Sequence, residues 1–338
     1  MTTDRIPWFD TARGFAVVLV ALGHATMILV EEGVSSPVWY VLSQLALAIR
    51  MPLFFTLSGM LAIRIVNRPW KDLWDRRLAL LLWMILVWTV IRFAWFSLLP
   101  IDSFPHYADP GVVLISPLWP TGIFWFLQAL ALYLVAGKVM NGRVPVWLQL
   151  SGAAVLSAVA LGALGSESGS YQRAAGYLFF FLLGLHGRQR IVALAERRRP
   201  LVAAGLLAAV VLASGLIFAV DLDQVPGVLT ALGVPAVLAA VLALRAIDGT
   251  SVARILQSVG RHSLPVFVIH VLVIGGITRA LLLLPEVPAP VQAVLPPVVA
   301  TLAVVSSLVV WRLTRRVPGL YTAPRILTTR SRLRTSAV

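Results

Sequence analysis

Ten apolar runs follow one another along the chain, at roughly 8–30, 38–63, 78–100, 118–139, 144–164, 171–187, 201–220, 227–247, 263–284 and 291–311. Each is close to the ~20 residues a helix needs to cross the hydrocarbon core. In that solvent every backbone N–H and C=O must be satisfied within the segment, so runs of this kind predict helices. They fill the 338 residues and leave no room for a sizeable soluble domain. The expected fold is all-α, a polytopic integral membrane helix bundle of about ten transmembrane helices. Composition agrees: 59% of residues are hydrophobic and only 12% are charged, against about a quarter in soluble proteins.

The connections set the orientation. Segments 31–37, 101–117, 165–172, 221–226 and 285–290 contain no Lys or Arg, but do contain Glu31, Glu32, Asp102, Asp109, Glu167, Asp221, Asp223 and Glu286. The alternate connections are basic, with Arg64, Arg68, Lys71, Arg76 and Arg77, then Lys138 and Arg143, then Arg188, Arg190 and Arg197–Arg199, then Arg245, Arg254 and Arg261. The positive-inside rule places both termini in the cytoplasm and accounts for the net charge of +14 without a nucleic-acid partner. Residues 1–312 read as a membrane domain. Residues 313–338 read as a basic cytoplasmic tail, lying on anionic lipid headgroups or disordered. The first run is too long and too charged for a cleavable signal peptide. The cytoplasmic membrane is the expected location.

The chain has no cysteine, which removes disulfides, thiolate metal sites, Cys nucleophiles and any acyl-cysteine relay. No His/Asp/Glu cluster has metal-ligand spacing, so no metal is expected. Without a phosphate-cradling glycine loop, ATP-driven transport within this chain is not expected either.

What stands out is the polar residues inside the runs. Arg13 follows Asp10 by three residues and His24 follows Arg13 by eleven, which brings the helix to within ~20° of the same azimuth about 16 Å further on. Asp10, Arg13 and His24 thus share one face of the first span, and Gly14 and Gly23 allow a helix or ligand to approach closely. Arg50 lies near the middle of the second span, two residues before Pro52, which frees a carbonyl and kinks a helix. Ser58-Gly59 suits either tight packing or contact with a substrate. Arg92, Gln128 and His270 are further intramembrane polar groups, and Arg173 opens the shortest run. Each has a plain alternative: Arg13 snorkelling to headgroups, a histidine hydrogen-bonded between helices, or cytoplasmic arginines that only set topology. Trp95, Trp119 and Trp125 read as interface-belt residues, and His106 and His186 as solvated loop histidines.

RIPWFDTARGFAVVLVALGHA resembles the opening Asp-x-x-Arg-Gly pattern of the acyltransferase-3 family of membrane O-acyltransferases, with a histidine eleven residues after the arginine. The nearest resemblance is to its fucose-4-O-acetylase-like members. MPLFFTLSGMLA is similar to the family's Pro-Leu-Phe-Phe-x-Leu-Ser-Gly block. KDLWDRRLALLLW, FWFLQALALYL and HSLPVFVIHVLV resemble weaker blocks.

The resemblance implies transfer of an acyl group, often acetyl, from cytosolic acyl-CoA to a hydroxyl of a surface glycan, lipid-linked sugar or secondary metabolite, with Arg13 and His24 as the functional pair. Two departures are visible. Where many relatives carry Arg-x-x-Arg before the third span, Arg77 is followed at that spacing by Leu80. The soluble hydrolase-like domain of some relatives is lacking, so the chain completes transfer alone or hands the group to a separate extracytoplasmic transferase.

Such a reaction needs a base, a polarised thioester and a hold on CoA phosphates. His24 is the candidate base, since imidazole takes and returns a proton near neutrality. Arg13, paired with Asp10, would receive the donor or stabilise an oxyanion. Arg50, Lys71, Arg76 and Arg77 are candidates for holding the acyl-CoA, and Ser58, Gln128 and His270 for contacting the acceptor. The main rival is a transporter or flippase of a lipid-linked glycan, which would use the same buried charges as a substrate path and would consume no acyl-CoA. A structural or signalling protein is a third reading, against which the mid-bilayer Arg50 argues.

Overall fold

The computed structural model describes residues 6–116, 122–163, 170–197, 199–284 and 286–328. Trp119, Glu167, Arg198 and the tail beyond 328 lie outside them. Sixteen α-helices follow in order: α1 (Pro7–Glu31), α2 (Val38–Leu45), α3 (Leu47–Val66), α4 (Trp70–Leu73), α5 (Ala79–Leu98), α6 (Pro110–Ile115), α7 (Trp125–Met140) and α8 (Val146–Ala158); then α9 (Ser170–Gly176), α10 (Leu178–Glu196), α11 (Pro200–Ala219), α12 (Val228–Ala246), α13 (Ser251–Arg261), α14 (Ser263–Leu281), α15 (Ala289–Gln292) and α16 (Leu295–Thr314). Among the described residues there is no strand, and nine helical stretches are long and apolar enough to cross a membrane. The protein is a polytopic membrane helix bundle.

The fifth expected span, 144–164, is shorter than predicted. It is α8, continued by a π-helical turn over Val159–Ala163. Contacts at its two ends set it between the same two sides of the bundle as its neighbours. Gln149 near its start hydrogen-bonds the carbonyl of Val144 (2.7 Å) and His186 of α10 (2.9 Å). Gly162 at its other end lies against Pro226, in a connection free of Lys and Arg.

One end of the bundle joins the start of α1 to the end of α16. Arg13 donates to Ser263 (2.6 Å), and the neighbouring His262 packs its ring 4.1 Å from that of Trp311. Lys138 at the end of α7 caps carbonyls at the end of α3, donating to Val66 (3.0 Å) and Arg68. At the opposite end, Glu32 accepts from Ser103, and Ser35 and Trp39 donate to the carbonyls of Gln292 and Ala293. The start of α1 and the end of α16 therefore sit on the same, basic side.

Glycines set the closest crossings. A Cβ on Gly14 would collide with the carbonyl of Leu256 in α13, and one on Gly260 with that of Asp10, so α1 and the lateral, amphipathic α13 touch backbone to backbone. The same holds where α3 meets α10, since a Cβ on Gly184 would strike the Thr56 carbonyl and one on Gly59 that of Phe181. Backbone cannot yield as a flexible side chain can. Gly184→Val should therefore destabilise the bundle by about 1–3 kcal/mol through overpacking, seen as a lower apparent Tm in detergent. An unchanged Tm would show the crossing to be looser than this.

Two predicted spans are broken in their outer halves. The second is interrupted at Ala46, between α2 and α3, whereas Pro52, where a kink was expected, sits inside a continuing helix. The run at 171–187 extends to Glu196 and breaks at Tyr177, whose φ of −107° and ψ of 2° separate α9 from α10 just after Gly176. Beyond α16, the described part of the basic tail packs along the third span. Trp83, Trp88 and Trp74 donate their indole N–H groups to the carbonyls of Gly319, Leu320 and Leu327 at 2.6, 3.0 and 2.7 Å.

Candidate active site

The two interruptions face one another across a cavity of about 730 Å³. Its lining is drawn from α1 (Gly23, His24), from the α2–α3 break (Gln44, Arg50), from the start of α7 (Trp125, Phe126) and from the α9–α10 break (Arg173, Tyr177). The loop residues Phe104, His106 and Tyr107 and the turn holding Asp221 and Asp223 form its mouth. These mouth residues belong to the connections without Lys or Arg, so the cavity opens on the extracytoplasmic side.

Arg92, 1% exposed, anchors the mouth. Its guanidinium lies 4.2 Å from the centroid of the Tyr107 ring and 5.0 Å from that of Phe124. Burial, and then the Arg92 charge, push His106 below the ordinary imidazole range, so at pH 7 it is a neutral polar group. Burial raises the neighbouring Tyr107 hydroxyl, which stays protonated.

His24 lines the cavity, and its Nδ1 is 2.9 Å from Nε2 of His270, which lies behind it and does not itself line the cavity as a substrate contact would. His270 comes from α14, is 1% exposed, and its Nδ1 is 3.0 Å from the carbonyl oxygen of Val266, one turn earlier in the same helix. A carbonyl only accepts, so His270 Nδ1 carries the proton and its Nε2 is an acceptor when the ring is neutral. His24 Nδ1 must then be the donor between the two rings. By elimination, the lone pair of His24 sits on Nε2, on the half-buried ring that lines the cavity. The hydrogen-bond chain from the Val266 carbonyl through His270 thus fixes the tautomer of His24.

Arg50 lies beside this pair. A Cβ on Gly23 would overlap its guanidinium, so the head of Arg50 rests on the bare Cα next to His24. Gly23 therefore admits an arginine, while Gly14 admits a helix.

The other expected site residues lie elsewhere. Arg13 pairs with Asp10 (3.9 Å) and Ser263 at the cytoplasmic end, about 16 Å below His24 along α1. Lys71 is exposed on α4, and Arg76 and Arg77 on the π-helical turn Trp74–Leu78, where Arg76 lies 3.7 Å from Asp72. These basic residues are grouped on the cytoplasmic side and do not reach the cavity. Ser58 donates to the carbonyl of Phe54 in its own helix (2.8 Å), and Gln128 donates to that of Ser116 (2.5 Å); neither lines the cavity. Two plainer readings also need correcting. Trp125 is a buried cavity wall, not a belt residue, with its ring 6.0 Å from that of Tyr177. His186 is hydrogen-bonded between helices rather than solvated.

Arg173, Tyr177, His106 and the Asp221–Asp223 turn were not read as site residues. The usable signal was Arg173, a charge inside an apolar run, which marks a functional position by default. The others depend on chain breaks that hydropathy does not report. Among the described residues no group of three His, Asp or Glu could hold a metal ion.

A helical membrane protein with an oriented imidazole, a guanidinium beside it and a cavity reaching both is built to act on a substrate at membrane depth. The family model described as "Acyltransferase domain" (Acyl_transf_3) matches residues 6–316, nearly the whole chain. The protein belongs to the acyltransferase-3 family and is a membrane acyltransferase. No curated protein and no solved structure matches it.

Proposed function

We propose that the protein moves an acyl group, acetyl in the first instance, from cytosolic acyl-CoA to a hydroxyl of a carbohydrate, lipid-linked sugar or secondary metabolite that enters the extracytoplasmic cavity. The observation that carries this reading is the His24–His270 pair, which holds Nδ1–H of a cavity-lining ring and leaves its Nε2 as the basic nitrogen.

In the simplest scheme the acceptor O–H gives its proton to His24 Nε2 as its oxygen attacks the thioester carbonyl. A C–O bond forms, the C–S bond breaks, and the proton passes from the imidazolium to the departing thiolate, leaving an ester and CoA. His270 acts as a positioning residue, and its hydrogen bond to His24 strengthens when His24 becomes charged. The fixed charge of Arg50 favours the negative charge that develops on oxygen beside it.

The donor approaches from the other face. Arg13 at the cytoplasmic end of α1, with Lys71, Arg76 and Arg77, supplies the positive charge that CoA phosphates need. The extended pantetheine arm bridges the distance from Arg13 to His24. The cell envelope is the place where such an acceptor would be met, with a separate extracytoplasmic transferase as its onward partner where the chain does not finish the transfer.

The test is CoA release from acetyl-CoA by purified protein in nanodiscs, with and without an extract of envelope glycans and lipids, for wild type and Arg13→Ala. Acceptor-dependent release that falls in the variant supports the reading. Movement of a lipid-linked glycan with no CoA released, from folded protein, would favour the transporter instead.

His270 allows a sharper check. Gln places an acceptor near the position of His270 Nε2, and Leu does not. Leu should lower kcat on the order of 10²-fold by releasing the tautomer of His24, while Gln recovers a substantial part of the loss. Equal activity in the two variants would remove His270 from the mechanism.

A further inference from the structure

The cavity lining carries two arginines, Arg50 and Arg173, set apart from the two aspartates at its mouth, Asp221 and Asp223. Several intramembrane or interfacial arginines elsewhere in the bundle have partners: Arg13 pairs with Asp10, Arg76 with Asp72, Arg245 with Asp248, and Arg92 lies between two rings. Arg50 and Arg173 both line the cavity, and among the described residues neither has a carboxylate within 4.0 Å. The other titratable groups facing them are His24, the neutral His106, the hydroxyls of Tyr40, Tyr107 and Tyr177, and Asp221 and Asp223 in the turn at the mouth. A guanidinium inside a membrane, as that of Arg50 is, is expensive unless water or an anion serves it, and the more exposed Arg173 facing the same cavity repels it. Both are relieved at once by an anion placed between them. Arginine also presents paired N–H donors that match a carboxylate or phosphate, which is geometry a bare counter-charge does not need.

Position adds to this. Arg50 rests on Gly23, the residue before His24, so an acid held by Arg50 lies close to the catalytic base. Trp125 and Tyr177 line the cavity beside it with their buried rings stacked on one another.

We infer that Arg50 and Arg173 form an anion subsite, and that the acceptor is an acidic saccharide. Its carboxylate or phosphate sits between the two guanidiniums while a neighbouring hydroxyl of the same molecule reaches His24 Nε2. This names the substrate class of the site proposed above and rests on that acyltransferase reading.

The test is calorimetric binding, without acyl-CoA, to the full chain in nanodiscs. The probes are a uronic-acid disaccharide, the same disaccharide with glucose in place of the uronate, and a sugar phosphate. A second set of nanodiscs carries a polyprenyl-phosphate-linked sugar, scored by its ability to displace the soluble probes. Wild type should bind an acidic probe at least about ten-fold more tightly than the neutral one, as expected for a charge-assisted contact. Arg173→Ala should lose that preference, and Arg173→Lys should keep part of it. Tighter binding of the uronate assigns a sugar carboxylate. Tighter binding of the sugar phosphate, or displacement by the lipid-linked form, assigns a soluble or a lipid-borne phosphate respectively.

Equal binding of acidic and neutral probes overturns the inference even if CoA release proceeds, as does an acid preference that survives in Arg173→Ala. Displacement of the acidic probe by free CoA also overturns it, because the guanidiniums would then hold the donor's phosphates. Acid-selective binding without CoA release for any acceptor leaves the subsite standing and refutes the transfer reading instead.

Discussion

Replacing His24 with alanine should lower acyl transfer by on the order of 10²–10⁴-fold, the usual range for loss of a general base, in protein that still folds. The ring is half-buried at a cavity edge rather than embedded in the packed core, so little packing is lost. Asparagine gives the more decisive variant. Its amide N–H can reach toward His270 Nε2 as His24 Nδ1–H does, but it has no basic nitrogen facing the cavity. If His24 matters only as a link between α1 and α14, His24→Asn should be nearly as active as wild type. If Nε2 is the base, Asn should be as inactive as Ala, with a higher Tm than Ala. The assay is acceptor-dependent CoA release beside thermal unfolding of the same samples.

Gly23→Ala should cost on the order of 10²-fold in kcat, although alanine is the better helix former by about 1 kcal/mol. The new methyl would occupy the space of the Arg50 guanidinium. Arginine is flexible, so the side chain swings away and the protein folds, but its charge leaves the neighbourhood of His24. The signature is therefore lost activity with an unchanged or raised Tm. Gly152→Ala is the control, because a Cβ there meets nothing within 4 Å. Full activity in Gly23→Ala would mean that the placement of Arg50 is immaterial to the reaction.

Much of this architecture was legible in the sequence, because the bilayer imposes it. Span length, the alternation of basic and acidic connections and the all-helical fold follow from satisfying backbone groups in hydrocarbon and from the charge bias of the loops. Arg13 and His24 on one face of α1, and the need for small residues at 14 and 23, follow from helix geometry alone. The pairing of His24 with His270 was not legible, since it joins residues 246 apart through the packing of α1 on α14. Nor were the breaks at Ala46 and Tyr177, which open the cavity. Both lie in apolar stretches whose mean hydropathy is unaffected by one residue leaving the helix. Arg50 is an instructive case. The sequence puts it in the middle of an apolar run, but does not say that its head rests on Gly23 and lines the cavity beside His24.

In the proposed reaction donor and acceptor meet at His24 from opposite faces of the membrane. The most direct measurement uses sealed, inside-out vesicles with the acceptor enclosed and radiolabelled acetyl-CoA added outside, at the cytoplasmic face. The account predicts labelled ester inside the vesicles, at a rate abolished by His24→Ala. Labelled product formed only when the acceptor is supplied on the same face as acetyl-CoA would contradict it.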